Sequence, residues 1–160
     1  LAYEAIIRKY AEQRGIGDYV HILMAKMMQE SGGRGGDPMQ SSESLGLPRN
    51  SITDPELSIK QGVTYFSYVL QNANYDIKLA LQSYNFGGNF INYVKGNGGK
   101  YTQELAQGYS NWLFSNYGMR GDPNYVNNVL RYYDDPGCKS IVSSDGWVWP
   151  TESIIITSGF

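Results

Sequence analysis

The chain of 160 residues carries 13 Lys and Arg against 15 Asp and Glu, a formal net charge of −2, with a single His and a single Cys. That size supports one ordinary domain with a sizeable core and a short appendage, and the charge balance argues against a nucleic-acid partner, because such binding rests on counterion release by a basic surface. One Cys excludes an internal disulfide framework and a Cys-based zinc site, and one His excludes a His-rich metal site, so no metal or cofactor is expected.

Taken in chain order, the elements are helical. Ile6, Ile7 and Tyr10 mark one face of a first helix that Gly15 and Gly17 terminate. Asp18 is placed to cap a second, in which Leu23, Met27 and Glu30 share a face. The stretch from Ser31 to Ser51 is polar and Gly-rich. A loop of about 20 residues is uncommon in a compact domain and is usually functional. Asp54-Pro55 orders an N-cap and a first-turn Pro for a third helix, with Thr53 and Glu56 as a competing capping box. Ile59, Val63, Phe66 and Leu70 then step along one helical face. Asp76 caps a fourth helix bearing Leu79, Ala80 and Tyr84. Phe90, Tyr93 and Val94 form a short fifth, stopped at Gly96–Gly99. Leu105, Tyr109, Trp112 and Leu113 form a sixth, stopped by Gly118, and Asp122-Pro123 opens a seventh with Val126, Val129, Leu130 and Tyr133 inward. No strand is expected before residue 140, so the fold class is all-α, with about seven helices and a short extended C-terminal tail.

After Asp134-Asp135-Pro136-Gly137 the composition changes. The expected organisation is a helical domain over 1–137, a linker over 138–146, and over 147–160 the truncated start of a β-rich domain. Trp147-Val148-Trp149 and Ile154-Ile155-Ile156 in that last stretch are aromatic and β-branched. No apolar run reaches the ~20 residues that cross a bilayer. No secretory leader is read at the N-terminus, so the expectation is a cytoplasmic chain or a segment of a longer precursor.

Glu30 is the position richest in chemistry. It falls in the last turn of the second helix, where the negative end of the macrodipole disfavours a carboxylate. Met27 and Met28 precede it and Ser31-Gly32-Gly33 follows. An apolar shelf and an adverse dipole both act to keep a carboxyl protonated, as a general acid near neutrality requires. An exposed Glu at a frayed helix end is the plain alternative. His21 with Cys138 does not make a thiol hydrolase, since Cys138 sits in the linker with no third orienting group in view. The glycine pairs at 32–33, 87–88 and 98–99 lack the strand, helix and Lys-Ser or Lys-Thr of a phosphate loop.

Three segments occur in order: Gln29-Glu30-Ser31-Gly32-Gly33, then Asp37-Pro38-Met39-Gln40-Ser41-Ser42-Glu43-Ser44, and later Ser83-Tyr84-Asn85-Phe86-Gly87-Gly88. This set resembles the lysozyme-like superfamily of goose-type lysozymes and soluble lytic transglycosylases. It looks most like the muramidase domain of bifunctional cell-wall hydrolases on Gram-positive conjugative elements, over about residues 3–133. The resemblance implies that Glu30, with Ser31 beside it, is the general acid that protonates the glycosidic oxygen. It places Met39, Gln40 and Ser42 in the floor segment, although Asp37-Pro38 replaces the usual Gly-Leu. Tyr84 and Asn85 match the Tyr-Asn pair that lies against the sugar, and Phe86-Gly87-Gly88 departs slightly from the usual Ala-Gly ending. The second carboxylate stays open between Glu43, close to where goose-type enzymes carry an acidic residue, and Asp37. Inverting chemistry needs a base ~6.5–9.5 Å from the acid, a retaining nucleophile sits nearer, and lytic transglycosylases need neither. Asp54 is read as a helix cap. The tail, with Trp149-Pro150 and Ile156-Thr157-Ser158-Gly159-Phe160, resembles the opening of a lysostaphin-type endopeptidase domain.

These implications favour a monomeric, wall-facing extracellular enzyme that hydrolyses peptidoglycan between N-acetylmuramic acid and N-acetylglucosamine. Its many Tyr residues (14) and low charged fraction (18%) suit neutral carbohydrate, although Tyr also packs helical cores with its hydroxyl at the surface. Lytic transglycosylation, a glycan-binding module without turnover, and a helical adaptor using exposed rings such as Trp112 stay open beside it.

Overall fold

The computed structural model describes residues 3–133. The expected linker at 138–146 and the strand-like tail at 147–160 lie outside the described residues, as does Cys138. Seven α-helices follow in order among the described residues: α1 Glu4–Gln13, α2 Val20–Ser31, α3 Pro55–Asn72, α4 Ile77–Phe86, α5 Asn89–Lys95, α6 Gln103–Tyr117 and α7 Tyr125–Tyr133. Two single 3-10 turns, Gly17–Tyr19 and Ser42–Leu45, complete the regular structure. The architecture is all-α. No described helix is long and apolar enough to cross a membrane.

The described residues divide into two compact units, one of residues 3–67 with 129–133 and one of residues 68–128, so the boundaries fall inside α3 and α7. In the first unit α1 and α2 pack together, with Ile7 and Ala11 of α1 and Val20 through Met27 of α2 buried. Ile59, Val63 and Phe66 of α3 are fully buried at the expected spacing. In the second unit α4 packs on α5 and α5 on α6. A ring cluster fills it: Phe90 lies 5.2 Å from Phe86 and 5.2 Å from Tyr109, and Tyr93 lies 5.1 Å from Tyr109. Offset and edge-on rings at such separations add to the area they bury.

Side-chain caps open α3, α4 and α6, whereas α1, α2 and α5 start without one. Asp54 accepts the Glu56 amide at 3.1 Å, so the Asp-Pro cap holds, and Glu56 turns instead to Tyr10 and Lys9. Asp76 accepts the Leu79 amide at 3.2 Å. Thr102, which the sequence reading passed over, accepts the Leu105 amide at 3.1 Å. Two expectations are corrected. Asp18 lies in the 3-10 turn before α2, whose start has Tyr19 as its N-cap and no side-chain cap bond. The seventh helix starts at Tyr125 rather than at Pro123, after a turn in which the Tyr125 amide donates to the Asp122 carbonyl at 3.0 Å, while the Asp122 carboxylate accepts the Asn124 amide and the Asn128 side chain at 2.9 and 2.8 Å.

Candidate functional site

Glu30 occupies the last turn of α2 because the helix stops one residue later. Gly32 adopts the left-handed conformation at φ +66° and returns its amide to Met28. A side chain there would be strained, so glycine is the residue that ends a helix this abruptly. Ser31 then ties the helix end to the following segment: its hydroxyl donates to the Pro38 carbonyl at 2.7 Å and accepts the Gly33 amide at 3.0 Å. Gln29, on the other side of Glu30, accepts from Arg131 of α7 at 3.3 Å.

The Glu30 side chain is mostly withdrawn from solvent, with 16% of its surface exposed. Its Oε1 lies 3.5 Å from Lys26 Nζ, one helical turn earlier. Lys26 is fully buried. Burial pulls its ammonium down to about 8, while the Glu30 carboxylate and then the Asp37 carboxylate pull in the opposite direction. At neutral pH it is therefore a buried cation. The apolar shelf expected around Glu30 thus contains a charge. Sequence reasoning missed Lys26, although its position four residues before Glu30 on one helix was a usable signal.

Asp37 is the second centre. It is 3% exposed and gives both oxygens to the floor segment. Oδ1 accepts from the Ser41 amide at 2.9 Å and the Ser58 hydroxyl at 2.6 Å, and Oδ2 from the Ser42 amide at 3.2 Å and the Ser42 hydroxyl at 2.6 Å. Burial by itself would push this carboxyl up, but the hydroxyls of Ser42 and Ser58 and the two amides outweigh it and hold the group below its ordinary range. Ser41 donates to the Ser58 carbonyl at 2.9 Å, and Ser42 accepts the Ile52 amide at 3.0 Å. A stretch without an α-helix is thereby stitched to α3, with Ser58 as the partner that the sequence reading did not name.

Met39 and Ser42 are buried, so they support this floor from beneath. Met39 lies against α3 where a Cβ on Gly62 would come within 2.7 Å of its own Cβ, a close approach that glycine permits. Gln40 is half-buried at φ +49°, a left-handed conformation that persists where surroundings over-determine it. Here they do: its side-chain amide donates to the Asp37 carbonyl and to Asn50 Oδ1, at 3.0 and 2.7 Å, and Arg49 donates to its Oε1 at 3.0 Å. Glu43 stands exposed in the 3-10 turn Ser42–Leu45. Within the first unit Glu30 and Ser31 thus sit at the end of α2, and Asp37, Met39, Gln40, Ser42 and Glu43 on the segment after it. A groove of about 410 Å³ is lined there by Arg34, Gly35, Gly36, Asp37, Asn50, Ile52 and Thr53.

Tyr84, Asn85 and Gly87 belong to the second unit, at the end of α4. Tyr84 and Asn85 are half-buried. Asn85 Oδ1 accepts the Asp122 amide at 2.8 Å, and Gln82, one turn earlier, donates to the Asp122 carbonyl at 2.8 Å. Gly87 at φ +96° ends α4 and lines a groove of about 570 Å³ with Phe86, Asn89, Asn92, Tyr93 and Trp112 among its walls. That groove is uncharged and aromatic.

The chain is 54% identical over 132 residues to the bifunctional muramidase/DL-endopeptidase CwlT of Bacillus subtilis, covering 81% of this chain and 40% of that protein. It is 34% identical over 113 residues to pneumococcal vaccine antigen A of Streptococcus pneumoniae, covering 69% of this chain and 55% of that one. The crystal structure of a Staphylococcus aureus protein described as similar to a lipoprotein of the NLP/P60 family superposes with a TM-score of 0.77 at 43% identity, covering 84% of this chain and 52% of the other. The chain thus spans roughly half of these relatives, or less. The family model described as lysozyme-like matches residues 1–140, and the chain belongs to that lysozyme-like family.

Proposed function

We propose that this chain cleaves the glycan strands of peptidoglycan by hydrolysing the bond between N-acetylmuramic acid and N-acetylglucosamine, with Glu30 as the general acid. The observation that carries the reading is a carboxyl at the abrupt end of α2, largely out of water, beside a segment that side-chain hydrogen bonds hold rigid. A preorganised carboxyl that delivers a proton to a leaving oxygen is what glycosidic cleavage asks of a protein. Asp37 keeps the floor in place through four bonds. Glu43, on the exposed turn which that network fixes, positions the attacking water. Tyr84 and Asn85 present hydroxyl and amide groups to N-acetylated sugars, as the family resemblance implies, while Gln40 holds the floor through its bonds to Asp37, Asn50 and Arg49. The similarity to a protein named as a muramidase supports the same substrate. The enzyme works outside the cell, on the wall, as a monomer, and residues 147–160 open a second, peptidase-like domain.

The test is release of reducing ends from purified peptidoglycan by the wild-type chain and by Glu30→Gln. A loss of roughly 10²–10⁴-fold, the range that general acids supply, is expected. Equal release by both overturns the reading, and glycan binding without product makes the chain a binding module. A second reading, transglycosylation to a 1,6-anhydro end, is favoured by one observation: both Asp37 oxygens are already committed to hydrogen bonds. Mass spectrometry separates the two, because the anhydro product is lighter by one water.

A further inference from the structure

In the second unit, Asn85 is held by a turn in which every polar atom of one residue is engaged. The Asp122 amide donates to Asn85 Oδ1 at 2.8 Å. The Asp122 carbonyl accepts from the Gln82 side chain at 2.8 Å and from the Tyr125 amide at 3.0 Å, and its carboxylate is taken by Asn124 and Asn128. Gly121 permits the approach, since a Cβ there would run into the Phe86 ring and lie 3.1 Å from Asn85 Oδ1. A backbone N–H can only donate, so it takes the oxygen of the Asn85 amide and turns the amino group away. No hydrogen bond to a described residue engages that amino group, and Asn85 is half-buried at the end of α4. What Asn85 offers a ligand is a donor of fixed polarity. The two residues after it, Phe86 and Gly87, line the uncharged aromatic groove.

Resting on the reading that the chain takes peptidoglycan glycan strands, we infer that the Asn85 amino group donates to the acetamido carbonyl of an N-acetyl sugar, with Gly121 and Asp122 as the positioning residues that lock it in that sense. A sugar hydroxyl both donates and accepts, so it satisfies either orientation of an amide. The acetamido oxygen only accepts, and it is the group for which a locked donor discriminates. Removal of the acetyl leaves an ammonium in mildly acidic solution, which meets the Asn85 amino group donor against donor. That group then loses its water without gaining a bond. The chain thereby selects N-acetylated over de-N-acetylated glycan. The selection comes from the polarity of one side chain, because no charged residue lines the groove that Phe86 and Gly87 border.

The experiment measures the ratio of affinities for a chitooligosaccharide and its de-N-acetylated counterpart, by calorimetry in mildly acidic buffer with enough salt to screen distant charges. Wild type, Asn85→Ala, Asn85→Asp and Asp122→Asn are compared. The ratio is informative because a loosened or partly unfolded protein loses both affinities together and leaves it unmoved. Wild type should prefer the acetylated ligand, and Asn85→Ala should cut the ratio roughly tenfold, the effect of one lost hydrogen bond. Asn85→Asp keeps an oxygen for the Asp122 amide and turns a second one outward, so the preference should invert toward the ammonium. Asp122→Asn has one acceptor oxygen for two donors and should lower the preference without inverting it. Wild type that binds both ligands alike, or neither, overturns the inference, as does a ratio unmoved in Asn85→Ala. Inversion in Asn85→Asp with no loss in Asn85→Ala is attraction between opposite charges and overturns it too. A ratio unmoved in Asp122→Asn overturns the positioning role of the turn. The two readings fail separately. Wild-type release of reducing ends by Glu30→Gln, beside a ratio that collapses in Asn85→Ala, removes the acid and keeps this inference; an inert Glu30→Gln beside an unmoved ratio does the reverse.

Discussion

The two units of this chain hold themselves together by different physics. In residues 3–67 with 129–133, the segment after α2 has one 3-10 turn and no α-helix, so its own backbone bonds, such as the Gln40 amide to the Asp37 carbonyl and the Leu47 amide to the Ser42 carbonyl, satisfy only part of it. Polar side chains do the rest: Asp37 binds Ser41, Ser42 and Ser58, and Gln40 binds Asn50 and Arg49. In residues 68–128 the work falls to neutral rings, with Phe90 fully buried among Phe86, Tyr93, Tyr101 and Tyr109. Directional bonds give a loop one conformation, which a reacting carboxyl needs. Ring packing is tolerant of direction and insensitive to protons, which suits a neutral aromatic wall.

The contrast breaks most sharply through substitutions read at two pH values. The largest effect is expected from Phe90→Ala, which deletes a ring at the centre of its cluster and should cost roughly 3–5 kcal/mol. Since none of the lost contacts involves a group that titrates in acid, denaturant melts at pH 7 and pH 3 should show the same loss. A loss confined to one pH would show that the ring cluster is coupled to ionisation after all.

Asp37→Asn comes next, at roughly 3 kcal/mol near neutral pH, because an amide cannot accept four hydrogen bonds and two of its sites become donors. Here the pH dependence is pronounced. The folded Asp37 carboxyl titrates below its ordinary value of 3.8. Its stabilisation is therefore fully present above that value and is lost as the pH falls through the lower folded one. The gap between wild type and Asp37→Asn should narrow steadily in melts taken below pH 4. A gap that stays constant down to pH 2 would mean that the carboxylate charge contributes nothing.

Most of the helices were readable in the residues, because apolar spacing, Asp-Pro starts and glycine stops are local signals. Asp54 and Asp76 cap as their sequence contexts imply. Asp122, like Asp54, accepts the amide two residues on, but a turn closed by the Tyr125 amide on its carbonyl precedes α7, a boundary difference of two residues that spacing alone does not fix. At the candidate site, Glu30 at a helix end followed by glycines was legible. Lys26 was missed, since apolar periodicity gives no warning of a buried cation and only its spacing of four from Glu30 marked it. The role of Asp37 was hidden for another reason: one of its oxygens is held by Ser58, across 21 residues and from another helix. A network closed by tertiary contact leaves no trace in spacing.

The smallest expected effect falls on the junction between helix and loop. Gly32→Ala places a Cβ on a residue at φ +66°, which costs roughly 1–2 kcal/mol for a non-glycine residue. The new methyl would also lie 3.3 Å from the Arg34 guanidinium, a flexible group whose Nε now donates to the Ser31 carbonyl. Because Arg34 is exposed and can swing away, the backbone strain and not the contact sets the cost. If α2 ends where it does so that Glu30 sits in a fixed last turn, relieving the strain by adding another helical turn would carry Ser31 away from the Pro38 carbonyl. Activity on peptidoglycan should then fall by more than the loss of stability predicts, with KM little changed. A variant that loses roughly 1–2 kcal/mol by denaturant melts, yet keeps full kcat, would show that the proposed acid tolerates a loose helix end.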